Sequence, residues 1–272
     1  MRLILLTCLT MVAFAANSLF NRLALVDPDM GPATFAAIRL ISGALTLAAL
    51  VWARRGFAFA GSGWGTVSLA TYVLGFSFAY VSLEAGVGAL ILFGGVQITM
   101  FAGAVATHEK IPVARWAGAG LAFLGLGYLL WPNGTDAPAL WGSVLMAAAA
   151  LGWGVYSLVG RQTKDPLAAT AGNFVYAAPL AALVWIIFPD GVTPQGAILA
   201  VLSGGVTSGL GYALWYAILP RLGAARAAVT QLVVPVIAMA MGITFLGEAL
   251  SLRFVVASLL VLGGIALSLR RG

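Results

Sequence analysis

The second half of this 272-residue chain repeats the first at a nearly fixed offset of 139 residues, in a sequence that is almost entirely membrane-grade hydrocarbon. Ser18-Leu19-Phe20-Asn21-Arg22 recurs as Ser157-Leu158-Val159-Gly160-Arg161, Phe35 as Phe174, Glu109 as Glu248 and Gly125 as Gly264. Gly75-Phe76-Ser77-Phe78-Ala79-Tyr80 recurs as Gly211-Tyr212-Ala213-Leu214-Trp215-Tyr216, so a short insertion or deletion separates the halves there. Duplication of a membrane module is a common way to build a transporter.

Hydrophobic residues make up 62% of the chain and charged residues 8%, which excludes a soluble globular domain and makes the bilayer the solvent. A membrane span needs about 20 mostly apolar residues. Gly, Pro and charged residues divide the chain into ten such stretches: 3–24, 32–53, 64–83, 86–106, 113–131, 138–160, 167–188, 196–218, 225–246 and 253–270. The expected fold is therefore all-α and integral to the membrane, with no stretch left for a soluble domain. The first segment, with Arg2 and the small residues Ala13 to Ala16, has some features of a secretory signal. It is read as a span, because it continues apolar to Val26 and its repeat partner lies mid-chain. Cys8 is the single cysteine, so neither a disulfide nor a cysteine metal site is expected.

Lys and Arg give the orientation. Arg2, Arg54, Arg55, Lys110, Arg115, Arg161, Lys164, Arg221, Arg226, Arg270 and Arg271 fall on the side of both termini, against only Arg22 and Arg253 on the other. Eleven against two predicts a multi-pass protein of the cell (inner) membrane with both termini cytoplasmic. The net charge of +6 is a topology signal, and no basic run with interleaved aromatics points to nucleic acid. Five helices per repeat is an odd number, so the two units, 1–131 and 138–270, are expected to be inverted relative to each other. The turn-forming stretch Trp131-Pro132-Asn133-Gly134-Thr135-Asp136-Ala137-Pro138 marks the boundary. A monomer then contains both orientations and should suffice for transport.

In the second half, Pro235, then Gly247-Glu248, then a final helix with Gly263-Gly264 resembles the EamA-type modules of the drug/metabolite transporter superfamily. Glu109, Arg39 and Gly125 extend the resemblance to the first half, which departs from the pattern where Val96 replaces a proline and His108 a glycine. The resemblance implies a ten-helix carrier of small metabolites, often an exporter of amino acids or related compounds. Within that superfamily, the aromatic amino-acid exporters lie nearest to the polar and aromatic positions of this chain.

Arg39 is the most unusual residue, because a cation about seven residues inside a span costs at least ~2.5 kcal/mol unless paired or hydrated. Ser42 and Thr46 continue a polar stripe from it. It is read either as a cavity guanidinium for a substrate carboxylate or as a structural Arg bonded to backbone carbonyls. Asn17, with Phe14 and Asn21, shares a face of the first helix, as do Trp153, Tyr156 and Gly160 in the sixth. Asn17 either lines a cavity or joins helices. Tyr72, Phe76 and Tyr80 in the third helix match Ser208, Tyr212 and Tyr216 in the eighth. Gln97 shares a face with Phe93, Met100 and Phe101, and Gln231 lies one turn before Pro235, where a proline kink would free its carbonyl. Gly205-Val206-Thr207-Ser208-Gly209 is read as close helix packing. Trp52, Trp64, Trp116, Trp131, Trp141 and Trp185 lie near span ends as interfacial anchors, and Trp215 fits either group. The cavity is expected between helices one, three, four, six, eight and nine, with the fifth and tenth peripheral.

No Asp or Glu lies in the middle of a span, which disfavours proton-coupled export of cations; Glu109 and Glu248 are expected to brace turns. The only histidine, His108, has no second ligand at metal-binding spacing, so neither an intramembrane enzyme nor a metal or cofactor is expected. The sequence-level expectation is export of a small amphipathic metabolite, foremost a neutral or aromatic amino acid, by alternating access. Other metabolite classes (sugar, nucleotide or drug-like) and a non-transport scaffold are the alternatives.

Overall fold

In the computed structural model of the chain, residues 1–56, 59–108, 111–132, 137–161, 163–222 and 230–269 are described. They form ten helical elements with no strand among them. In chain order these are α1 (Arg2–Leu25), α2 (Pro32–Arg55), α3 (Gly63–Ala79), α4 (Ala85–Ala106), α5 (Val113–Leu130), α6 (Leu140–Gly160), α7 (Pro166–Ile187), α8 (Pro194–Leu222), α9 (Val234–Leu246) and α10 (Leu252–Ser268). Seven are long and apolar enough to cross a bilayer, and α9 and α10 are shorter apolar helices. In hydrocarbon a helix satisfies every backbone polar group within itself, which is why such a sequence has few other options.

Helix ends follow local chemistry. Proline occupies the first turn of α2, α7 and α8, where its missing N–H costs nothing. Ser62, Asp165, Thr193 and Ser251 accept backbone N–H bonds at the starts of α3, α7, α8 and α10. Gly247 ends α9 with φ 66°, and His108, its counterpart at the 139-residue offset, adopts φ 55° after α4. The same backbone conformation thus recurs at matched positions, although His has to bear the left-handed strain that Gly avoids.

Three sequence expectations need correction. α3 stops at Ala79 rather than near residue 83, and Tyr80 begins a tight turn. The ninth span is broken: Leu232 and Val233 form a turn in which Val233 N–H bonds the Thr230 carbonyl, and α9 proper starts at Val234. Pro235 therefore sits in a first helical turn and does not kink a continuous helix at Gln231. α8 is longer than expected and has a π-helical middle, Leu202–Leu210, rich in Gly, Ser and Thr. Glu109 and residues 133–136 of the boundary stretch lie outside the described residues.

Packing partners recur between the halves. α2 packs on α7, α4 on α9 and α5 on α10; α3 on α6 is matched by α8 on α1, α4 on α6 by α9 on α1, and α2 on α8 by α7 on α3. Exchanging each helix with the one five places away returns these same nine pairs. Small residues permit the closest approaches, as expected where lipid supplies no hydrophobic drive between helices. At the α5–α10 crossing a Cβ on Gly264 would stand 2.6 Å from the Gly118 carbonyl oxygen and 2.7 Å from Ala122 N.

Polar side chains of α7 and of the connection after it fasten both α2 and α3. Asp190 Oδ2 accepts from Ala33 N at 2.7 Å, and its Oδ1 accepts from Thr34 N at 2.9 Å and Thr34 Oγ1 at 2.6 Å, capping α2. At the opposite end Asn173 Oδ1 accepts from Ser62 N at 2.9 Å. Asp190→Ala should lower stability by about 1–2 kcal/mol, the usual effect of losing a helix cap. The check is a melting temperature in detergent several degrees below that of the parent protein.

Candidate functional site

A cavity of 770 Å³ lies between the two halves. Its deep end is bounded by Asn17, Ser18 and Phe76, and it reaches the helix ends carrying Pro112, Arg115, Arg161, Thr163 and Leu269. Those are the ends where α4, α6 and α10 finish and α5 and α7 begin. Drug-sized ligands occupy cavities of roughly this size, mostly apolar with a few convergent polar groups.

Aromatic rings form its walls. Trp153 stacks on Tyr156 with centroids 5.4 Å apart and packs on Tyr72 at 4.9 Å and Tyr212 at 5.1 Å. Phe14 meets Tyr212 and Trp215 edge-on at 5.9 and 5.8 Å. The Tyr156 hydroxyl donates to Thr170 Oγ1 at 2.9 Å, which fixes that ring against α7. Among the described residues the lining contains no carboxylate.

The π-helical turns of α8 bring a polar seam onto α1 and α2. Ser203 Oγ and Thr207 Oγ1 both donate to Asn17 Oδ1, at 2.6 and 3.2 Å. Asn21 Nδ2 donates to Ser203 Oγ at 3.3 Å, and Ser77 Oγ donates to Asn21 Oδ1 at 3.1 Å. Asn17 Nδ2 is left to donate to the Tyr72 hydroxyl at 3.3 Å. π-helical turns are rare and often mark functional sites, and here the widened turns carry three side chains that contact α1 and α2.

Of the residues singled out in the sequence, Asn17, Tyr72, Phe76, Gln97, Trp153, Tyr156, Tyr212 and Gln231 border this one cavity. Arg39 and Tyr80 do not. Arg39 is wholly buried behind the wall, its guanidinium carbon 5.2 Å from the Tyr72 centroid and 5.0 Å from that of Phe76. Its Nη2 donates to the Tyr72 hydroxyl at 3.0 Å and to Ser208 Oγ at 3.4 Å, while Nη1 is buried without a hydrogen-bond partner. Tyr80 is wholly buried at the closed end, stacked edge-on against Phe76 and donating to the Ala85 carbonyl at 3.2 Å.

Two further expectations change. α5 and α10 are not peripheral, since Gly118, Ala119, Ala122, Ile265 and Ser268 border the cavity. Their small residues leave room, a contribution with no polar signature in the sequence. Trp215, left ambiguous, belongs to the cavity, whereas the six other tryptophans assigned to interfaces are exposed. Sequence reasoning missed Ser203, Thr207 and the mouth arginines Arg115 and Arg161. Only the polar content of the Gly-rich stretch in α8 hinted at the first two.

Comparison with known proteins gives consistent results. Residues 140–270 match the EamA-like transporter family. An uncharacterized protein of Pseudomonas aeruginosa is 48% identical over 98% of this chain and 94% of its own length. A probable amino-acid metabolite efflux pump of Salmonella typhimurium is 27% identical over 74% of this chain and 72% of its own. An uncharacterized transporter of Archaeoglobus fulgidus is 26% identical over 76% of each chain. One solved crystal structure, 22% identical, superposes with a TM-score of 0.65 over 95% of this chain and 97% of that one, a likeness of fold.

Proposed function

The chain belongs to the EamA-like transporter family, as a multi-pass membrane transporter and not an enzyme, and from that premise we propose that it exports a small amphipathic metabolite by alternating access. The favoured cargo is a neutral amino acid with a large or aromatic side chain. The observation that carries this reading is the composition of one cavity: the rings of Phe14, Tyr72, Trp153 and Tyr212 beside the amides of Asn17, Gln97 and Gln231. The rings offer stacking faces to an apolar side chain and, at about 0.5–2 kcal/mol, a seat for an ammonium group. The name of the Salmonella relative, an amino-acid metabolite efflux pump, points the same way.

The units 1–131 and 138–270 act as two inverted modules in this proposal. Supporting it are the residue matches between the halves, the exchange of packing partners and the left-handed turn shared by His108 and Gly247. With both termini in the cytoplasm of the inner membrane, the cavity opens inward, as loading for export requires. A monomer contains both modules. No carboxylate lies mid-span to carry a proton, so transport proceeds without obligatory proton exchange.

The test is efflux from liposomes containing the purified protein alone, loaded with labelled phenylalanine, tryptophan or leucine, with and without a pH gradient. Release of the aromatic amino acids at similar rates under both conditions is expected. Movement of a labelled sugar or nucleotide, with none of the amino acids released, would overturn the substrate class.

A further inference from the structure

At the end of the bundle opposite the cavity mouth lies a small charged cluster whose residues are not part of the cavity lining and that the substrate reading leaves unused. Arg22, in the last turn of α1, places Nε 3.6 Å from Glu248 Oε1. Its Nη1 donates to the carbonyls of Tyr80 and Val81, at 3.0 and 2.9 Å, where the chain turns from α3 toward α4. Glu248, in the connection from α9 to α10, accepts from Ala85 N through both carboxylate oxygens, at 2.9 and 3.0 Å. That N–H is one of the unpaired donors at the start of α4, where the helix dipole favours an anion. The Glu248 carboxylate is packed so closely on Gly242 that a Cβ there would overlap Oε2.

Each part of the cluster sits on a different element, and Glu248 alone comes from the second half. The carboxylate therefore ties the α9–α10 connection to the α1 end and the α3–α4 turn of the first half. At its other end α4 borders the open mouth with Met100 and Phe101. On the α2–α7 side Asp190 also joins the halves at this face, while Asn173 joins α7 to the start of α3 toward the other. α4 packs along α6 of the second half, with Gly103 against Leu158 toward the mouth, so the charged tie made by Glu248 is confined to the closed end.

We propose that Arg22 and Glu248 are the outer latch of the transporter: positioning residues that hold the cavity shut on the face opposite its mouth and must separate for it to open there. This rests on alternating access and not on the identity of the cargo. Burial raises the Glu248 carboxyl, the Ala85 N–H lowers it, the neighbouring Glu84 raises it and Arg22 lowers it. Burial is the largest of these, so the closed arrangement holds the carboxyl above its ordinary value even with the Ala85 N–H and Arg22 acting against it.

Sidedness of access reads the latch directly. Ser18 lines the deep end of the cavity, and with Cys8 replaced by serine a Ser18→Cys reporter carries the only thiol. A membrane-impermeant maleimide applied to the face opposite the termini should label it slowly in the parent and at least about tenfold faster in Glu248→Gln, as the equilibrium shifts toward outward opening. Arg22→Gln is the second variant, should the first fold poorly. Spin labels at the exposed Val81 and Leu250, across the latch, should show an added longer-distance population in either variant. Thr193→Ala, which removes a cap made within the second half alone, should lower the melting temperature yet leave both readouts at parental values, separating latch release from general destabilisation. Folded latch variants with parental labelling rates and an unchanged distance distribution would overturn the proposal. Failure of every amino acid in the efflux panel would leave these readouts unaffected, so the two readings fail separately.

Discussion

Gly204→Ala is expected to lose most of the folded protein. Gly204 lies in the π-helical part of α8, where a Cβ would overlap both the Arg39 carbonyl oxygen and Ser42 Oγ of α2. A carbonyl within a helix cannot step aside as a side chain can, so α2 and α8 would have to separate. Overpacking ordinarily costs about 1–3 kcal/mol, and a backbone clash lies at or above the upper end of that range. The same shift would pull Ser208 from Arg39 and Ser203 from Asn17, adding buried polar groups without partners. Against a total stability on the order of 5–15 kcal/mol, that combination should sharply lower the yield of monodisperse protein in detergent. Gly205→Ala is the control, because its Cβ would meet only Thr46 Oγ1, at 3.1 Å. If Gly204→Ala and Gly205→Ala gave equal yields and melting temperatures, this account of the α2–α8 contact would be wrong.

That contact also shows what a single sequence reveals. Gly205 to Gly209 is recognisable as a close-packing stretch because small residues in a membrane helix have few other uses. Helical spacing likewise placed Asn17 with Phe14, and Trp153 with Tyr156, on common faces, and the structure brings those faces to one cavity. Spacing cannot say which neighbour covers a face. Arg39, Ser42 and Thr46 do form a stripe on α2, but α3 and α8 cover Arg39, and the rings of Tyr72 and Phe76 stand between it and the cavity. The partners of Glu248 were also hidden, since Ala85 lies 163 residues away in sequence and offers only a backbone N–H. Pro235 illustrates a different limit: the same residue either kinks a helix or starts one, and the turn at Leu232 and Val233 decides which.

Tyr72→Phe should lose transport of amino acids selectively, and Arg39→Ala should lose it in the same way. Arg39 is a buried cation with no carboxylate against it among the described residues and one guanidinium nitrogen without a partner. It reaches the cavity only through Tyr72. A tyrosine hydroxyl has two acceptor positions and one proton. Arg39 Nη2 and Asn17 Nδ2 both donate to it, which fills the acceptor positions and leaves the Tyr72 proton to be given to the neighbouring Tyr212 or to a ligand in its place. Donation from a positive neighbour polarises the hydroxyl and strengthens it as a donor. A substrate carboxylate in the cavity would then accept from Tyr72, and the guanidinium would be compensated from one residue further back. A hydrogen bond to a charged group contributes about 1.5–3 kcal/mol, so either substitution should slow amino-acid efflux by roughly 10–100-fold. The decarboxylated amine of the same side chain, which lacks the accepting group, should be slowed far less. Tyr72→Phe separates this relay from direct contact, because it leaves Arg39 in place: retained amino-acid transport in Tyr72→Phe with loss in Arg39→Ala would mean that the guanidinium itself reaches the carboxylate. Equal loss of acid and amine in both variants, in protein that still inserts and folds, would make Arg39 and Tyr72 parts of the scaffold and leave substrate choice to the aromatic wall around Trp153.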